Sequence, residues 1–150
     1  TTIGAVFYST RLSHKQIDEV IGVAKIYETK VGTGEFEELE EELSEKYRSV
    51  GKEYGATTGR PRKIGWLDLD LLKEAIQVNG VDTLIITKTD IPVQVGVLKI
   101  RTAEDFWEIK ELWNGSVEPL VSLLKRIQNY TGVKKIGYTY GENRGCIAIL

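Results

Sequence analysis

The run Asp68-Leu69-Asp70-Leu71-Leu72-Lys73-Glu74-Ala75-Ile76-Gln77-Val78-Asn79-Gly80-Val81-Asp82-Thr83-Leu84-Ile85-Ile86-Thr87-Lys88-Thr89-Asp90 decides the fold class. Asp68 suits the position before a helix, where its carboxylate accepts from free amides of the first turn. Leu69, Leu72 and Ile76 then recur at helical spacing, which predicts a helix over residues 69–78. Asn79-Gly80 is a stop signal. Residues 83–87 form a continuous apolar run of the kind buried in a parallel sheet. Helix and strand so joined predict an α/β fold, a mainly parallel sheet flanked by helices. Ligands in such sheets gather at the C-terminal ends of strands. Lys88-Thr89-Asp90 stands at that end.

Just upstream lies Gly55-Ala56-Thr57-Thr58-Gly59-Arg60-Pro61-Arg62-Lys63-Ile64-Gly65-Trp66-Leu67-Asp68. Its glycines let the backbone approach a ligand closely. Thr57 and Thr58 offer hydroxyls. Arg60 and Arg62 present guanidinium forks suited to carboxylate or phosphate oxygens. Pro61 biases Arg60 toward extended geometry, and residues two apart in an extended segment point the same way. The two arginines are therefore expected to converge on one anion or on two adjacent ones. The alternative is a solvated basic turn before a helix.

Asp90 has a specific chemistry open to it. A carboxylate is a two-pronged acceptor and can take both the ring N–H and the exocyclic amine of guanine. Adenine offers no such donor pair and would leave the carboxylate unpaired. Lys88 can lay its alkyl stem along a purine face. Thr87-Lys88-Thr89-Asp90 resembles the guanine-reading element of GTP-binding proteins. A plain surface turn is the other reading of these residues.

Elsewhere the patterns are simpler. Residues 3–8 read as a strand, or as the tail of an element. Ser13 is expected to cap a short helical turn. Residues 21–29 favour a strand over a continuing helix, because they are β-branched and precede a Gly-rich turn. Residues 37–47 read as a helix with Leu39, Leu43 and Tyr47 on one stripe, its glutamates forming a solvated face. Residues 93–101 read as a strand, and residues 103–113 as a short helix or irregular arm in which Trp107 and Trp113 pack. Residues 117–130 read as a helix, and residues 135–139 as a strand. Residues 146–150 read as a closing strand, paired with 135–139 in a C-terminal antiparallel hairpin across the turn at 140–145.

Composition sets outer limits. Hydrophobic content of 41% and charged content of 28% suit one globular domain in 150 residues. A net charge of −2 argues against nonspecific binding to nucleic acid or to a membrane surface. Cys146 is the only cysteine and His14 the only histidine, so an internal disulfide and a multi-histidine or four-cysteine metal site are excluded. No apolar run approaches the ~20 residues of a membrane span, and no basic-then-apolar leader is seen. A cytoplasmic protein with no nucleic-acid or membrane partner is expected. The chain is rich in Lys and Glu, a bias of thermophile proteins. It lacks methionine and begins Thr1-Thr2-Ile3, which suggests a piece of a longer chain.

The segment Glu53 to Asp68 closely resembles a motif of the adenylosuccinate synthetase family, purine-biosynthetic ligases. Ala75, Val78, Asn79 and Thr87-Lys88-Thr89-Asp90 continue the resemblance, and Lys25-Ile26-Tyr27-Glu28-Thr29-Lys30-Val31-Gly32-Thr33-Gly34 begins it. The resemblance implies the C-terminal part of a larger P-loop-NTPase-like ligase, with its phosphate-loop portion lying outside residues 1–150. The implied reaction joins IMP and L-aspartate at the expense of GTP, giving adenylosuccinate, GDP and phosphate, with Mg²⁺ held mainly by the other portion. The implied aspartate-binding residues are Ala56, Thr57, Thr58, Gly59, Arg60 and Arg62. Val31 and Arg60 would meet IMP. Arg62, Lys88, Thr89, Asp90, Thr139, Tyr140 and Gly141 would meet GTP. No catalytic residue and no metal ligand falls in these 150 residues on this reading, and the whole enzyme is expected to be a homodimer. A free-standing guanine-nucleotide module, or a remnant without catalysis, is the alternative.

Overall fold

The computed structural model describes residues 2–109, 116–141 and 145–150. Its helices are α1 (Ile3–Thr10), α2 (Glu41–Gly51), α3 (Leu69–Asn79), α4 (Asp90–Val95) and α5 (Glu118–Thr131). Its strands are β1 (Ile21–Lys25), β2 (Tyr27–Lys30), β3 (Lys63–Asp68), β4 (Thr83–Thr87), β5 (Leu98–Arg101), β6 (Phe106–Ile109), β7 (Lys135–Thr139) and β8 (Ile147–Ile149).

The α3–β4 unit forms as its sequence predicts. Asp68 is extended at φ −91°, and its Oδ1 accepts from the amides of Asp70 at 2.9 Å and Leu71 at 3.0 Å. Gly80 ends the helix at φ +59°, a left-handed conformation that costs glycine nothing. β4 then lies between two parallel neighbours in the order β1-β4-β7-β8. Ile21 pairs with Thr83 and Thr83 with Lys135, so both edges of β4 are hydrogen-bonded, and Thr83, Leu84 and Ile86 are buried. The closing hairpin is also present: β8 runs antiparallel to β7, with Tyr138 opposite Ala148. α5 packs on α3 and β7 through Leu120, Leu123, Leu124 and Ile127, all buried.

A second sheet has the order β2-β3-β5-β6. The apolar run at residues 21–29 feeds both sheets. It breaks at Ile26, whose amide bonds the Thr87 carbonyl at 3.0 Å, so β1 belongs to the first sheet and β2 to the second. β3 is a strand where the sequence reads only as a Gly- and Arg-rich loop. Both faces of β3 are covered, so no polar–apolar alternation betrays it. Gly65 is required there, because a Cβ would stand 2.8 Å from the Glu37 carbonyl and from the Phe36 ring.

Four local expectations change. Residues 3–8 are helix α1, not a strand, and the segment has no strand partner. A helix satisfies its backbone internally, and the Asn79 side chain receives the Ile3 amide at 2.8 Å. The helix expected from residue 37 starts at Glu41, because Leu39 is drawn beside β3 by its amide bond to the Ile64 carbonyl at 2.8 Å. The strand expected over 93–101 is divided: α4 ends at Gly96 (φ +86°) and only β5 is extended. Pro92 is tolerated in α4 because it sits in the first turn, where amides lack intrahelical partners. Residues 106–109 form β6, antiparallel to β5, instead of a helix or irregular arm. Trp107 packs edge-on against Tyr130, with ring centres 5.5 Å apart, and Arg126 lies 3.7 Å over its face. Trp113 and the middle of the 140–145 turn lie outside the described residues. The helical turn after Ser13 is a single 3-10 turn, His14–Gln16, closed by a capping box.

The acidic face of α2 is more than a solvated one. Glu41 and Glu45 bond the buried Arg48, and Glu38 lies 3.8 Å from it. Arg48 in turn reaches the Arg62 carbonyl at 3.5 Å.

Asp68 joins α3 to the second sheet, since its Oδ2 also lies 3.2 Å from Arg101 Nε. Asp68→Ala is expected to cost about 1–2 kcal/mol, the worth of a good N-cap. Asp68→Asn, which still accepts from the amides, should cost less. Urea unfolding midpoints of the two variants check the order, and equal losses would refute the capping account.

Candidate functional site

Three strands of the first sheet end on the same side. Lys25 at the end of β1 is level with Thr87 at the end of β4, and Ile86 is level with Tyr138 near the end of β7. Beyond Thr87 the chain turns sharply. Lys88 adopts φ +60°, an uncommon backbone state for a residue with a side chain, at a cost of order 1–3 kcal/mol. Thr89 is buried, and its hydroxyl donates to the Thr139 carbonyl at 2.9 Å, which ties the end of β4 to the end of β7. Asp90 then opens α4.

This turn borders an open cleft of about 720 Å³. Lys88, Asp90, Thr139 and Gly141 line it, with Gly51, Ile91 and Gln94 among their neighbours. The sequence-predicted purine-reading residues are thus brought together in one place. Thr89 and Tyr140 are not among the lining residues. Thr89 braces the two strand ends, while Tyr140 is half exposed and packs against the Tyr138 ring at 5.9 Å. The ammonium of Lys88 is anchored at the cleft edge: it donates to the Gly51 carbonyl at 2.5 Å and lies 3.2 Å from Glu53 Oε1.

The Gly- and Arg-rich loop is a closed excursion between α2 and β3. Tyr54 bridges Pro61, the Gly55 amide bonds the Arg60 carbonyl at 2.8 Å, and the Gly59 amide bonds the Gly55 carbonyl at 2.9 Å. Gly59 takes φ +64°. Ala56, Thr57 and Thr58 stand exposed at the tip. The expected convergence of two free arginines is not what forms. Arg60 is exposed and has no ion pair among the described residues, whereas Arg62 turns inward and its Nη1 bonds Glu53 Oε2 at 2.8 Å. The reason is local: Arg62 is already entering β3, beside a buried carboxylate that attracts it. Val31 follows Lys30, which pairs with Lys63, so it stands where Arg62 enters β3. It is exposed, in a loop that takes positive φ at Gly32 and Gly34.

Glu53 is the residue that sequence reasoning missed. It is 1% exposed. Its Oε1 accepts from Lys25 Nζ at 2.8 Å and from the Tyr27 hydroxyl at 2.8 Å, and its Oε2 accepts from Lys25 Nζ at 2.9 Å as well as from Arg62. Burial alone would raise its pKa, but Lys25, Tyr27 and Lys88 outweigh burial and hold it at about 2. Burial lowers the pKa of Lys25, against the opposing pull of Glu53. The Tyr27 phenol is pushed well up by burial and by Glu53. The sequence motif begins at Glu53, but nothing in its spacing reveals partners from four separate segments. Among the described residues no group of three or more His, Cys, Asp or Glu is placed to hold a metal ion.

Comparison with known proteins places this geometry. The family model described as adenylosuccinate synthetase matches residues 1–135. The adenylosuccinate synthetase of Thermus thermophilus is 50% identical over 106 residues, covering 70% of this chain and 26% of that protein. That of Halothermothrix orenii is 39% identical over 145 residues, covering 91% of this chain and 34% of that protein. The chain thus spans only a quarter to a third of these curated relatives. The structure of fully ligated adenylosuccinate synthetase from Plasmodium falciparum superposes with a TM-score of 0.87 at 26% identity, covering 100% of this chain and 44% of that one. Sequence and fold agree along the chain's length: it belongs to the adenylosuccinate synthetase family.

Proposed function

We propose that this chain supplies the guanine pocket and the aspartate-binding loop of a GTP-dependent ligase that converts IMP and L-aspartate to adenylosuccinate in purine biosynthesis. The observation that carries this reading is the single cleft at the end of β4, lined by Lys88, Asp90, Thr139 and Gly141. Asp90 would accept the ring N–H and the amine of guanine. Lys88, its ammonium fixed by Gly51 and Glu53, would present its stem to the purine face. The Thr139 hydroxyl and the bare backbone of Gly141 would meet the base edge.

The exposed loop tip supports the second assignment. Arg60 is available to an incoming carboxylate, and Thr57 and Thr58 add hydroxyl donors beside it. Arg62 keeps N–H groups beyond the one given to Glu53, and its charge would favour phosphate nearby. Val31, close to Arg62, would border the ribose of IMP with Arg60.

In this family's reaction the 6-oxygen of IMP is phosphorylated and the aspartate amine then displaces phosphate. The residues here would bind and orient rather than move protons. The groups that do the chemistry, and the ligands for Mg²⁺, would lie in polypeptide outside these residues, and the working enzyme would be a cytoplasmic homodimer. The complete polypeptide is expected to release phosphate only when GTP, IMP and L-aspartate are all present, and the 150-residue chain alone to release none. Turnover by the isolated chain would overturn this division of labour. Guanine nucleotide binding without any three-substrate reaction in the complete protein would instead mark a binding module.

The guanine assignment has its own test. In Asp90→Asn the side chain offers one acceptor and one donor, which mismatches the guanine amine and suits the 2-oxo group of xanthine. The KM for GTP should rise at least tenfold, while XTP becomes the better substrate. An unchanged preference for GTP would remove Asp90 from the pocket.

A further inference from the structure

We infer that Glu53 is a positioning residue that holds the anion-binding loop and the purine cleft in register with one another. This deepens the proposed function and rests on it. One buried carboxylate receives Arg62, which closes the loop, and Lys88, which borders the cleft. It also receives Lys25 from the end of β1 and Tyr27 from the start of β2. The backbone reinforces the tie: the Arg62 amide donates to the Glu53 carbonyl at 3.0 Å, and the Glu53 amide to the Arg48 carbonyl at 3.0 Å.

The stoichiometry explains why a carboxylate stands here. Lys25, Arg62 and Lys88 carry three positive charges onto one negative one. Without Glu53 these cations would repel at close range, and the two that flank the sites would swing apart. A displacement of about 1 Å in a positioning group can cost on the order of 10²-fold in rate. Hydrophobic packing could fill this space with equal stability, but it could not aim two cations in set directions.

Glu53 is ionised at every ordinary pH. Its folded pKa of about 2 lies below the ordinary 4.5, so its contribution to stability is fully present above pH 4.5 and is lost as pH falls toward 2. The stability gap between the wild type and Glu53→Gln should therefore be constant near neutrality and shrink on acidification, which thermal melts at a series of pH values will read.

The decisive experiment uses the complete polypeptide and steady-state kinetics in GTP and in L-aspartate. Glu53→Gln is expected to raise both KM values about tenfold or more and to lower kcat, at temperatures where the variant stays folded. Tyr27→Phe removes one bond to the same carboxylate and no charge, so it should lower the melting temperature and leave both KM values within about twofold. Glu53→Asp keeps the charge on a shorter stem and should fall between. It also serves if Glu53→Gln does not fold. Unchanged KM values in Glu53→Gln and Glu53→Asp would overturn the inference, as would Tyr27→Phe matching Glu53→Gln. A wild-type protein with no three-substrate reaction would instead overturn the proposed function, and the inference with it.

Discussion

A carboxylate with 1% exposure is the constraint on which the rest of the site depends. Taking Glu53 out of water costs several kcal/mol after relaxation. That cost is offset only if both oxygens are fully occupied. Lys25, Tyr27, Arg62 and Lys88 meet the condition from four separate segments. The three cations balance the buried charge, and the Tyr27 hydroxyl adds a neutral bond to it. The group thus sets where β1, β2, the loop and the β4 turn stop relative to one another. Gly51 belongs to the same constraint, since a Cβ there would lie 2.6 Å from the Tyr27 hydroxyl.

The break at Ile26 is what allows four segments to converge. A single long strand would have kept Lys25 and Tyr27 in one sheet. Instead the chain changes sheets between them, so one sheet delivers Lys25 and the other delivers Tyr27. The two sheets meet over a common core in which Ile26, Tyr27, Tyr47, Ile64 and Ile86 are buried. Tyr47 packs edge-on against Tyr27 at 4.9 Å and Trp66 at 6.1 Å, which fills the wedge between α2 and β3. Apolar packing therefore carries the fold, and the carboxylate aims the polar side chains within it.

What could be read from the sequence was what is decided locally. The Asp68 cap, the Gly80 stop and the apolar run of β4 each state their own structure within a few residues. Lys88 and Asp90 were legible for the same reason, being placed by the end of a strand already recognised, whereas Thr139 and Gly141 were named only through the family resemblance. β3 escaped because Gly65, Trp66 and the basic residues before it hide a strand covered on both faces. α4 escaped because Val93 and Val95 carry β propensity, while Pro92 reads as a breaker unless it is known to occupy the first turn. α1 escaped because a short apolar run without a defined neighbour fits strand and helix equally well. Glu53 was beyond any local reading, since its partners are set only by the tertiary fold.

The two arginines show how the same residue type can be divided by position. Arg60 and Arg62 are separated only by Pro61 and would look equivalent in an extended segment. The loop hydrogen bonds make them unequal. Gly55 and Gly59 close the excursion before Arg62, so Arg62 sits at the rim of the buried carboxylate and Arg60 does not. Arg62 is therefore oriented before any ligand arrives, and a ligand meeting it need not supply the entropy of fixing that side chain. Arg60 keeps its freedom and must be ordered by what it binds. Lys88 is preorganised as Arg62 is, its strained backbone held by the Gly51 carbonyl and by Glu53. The fixed cations flank the same carboxylate, and the free one stands at the loop mouth. Arg62 and Lys88 are thus aimed in advance from one carboxylate, one at the loop and one at the cleft, while Arg60 is left to close from the loop mouth.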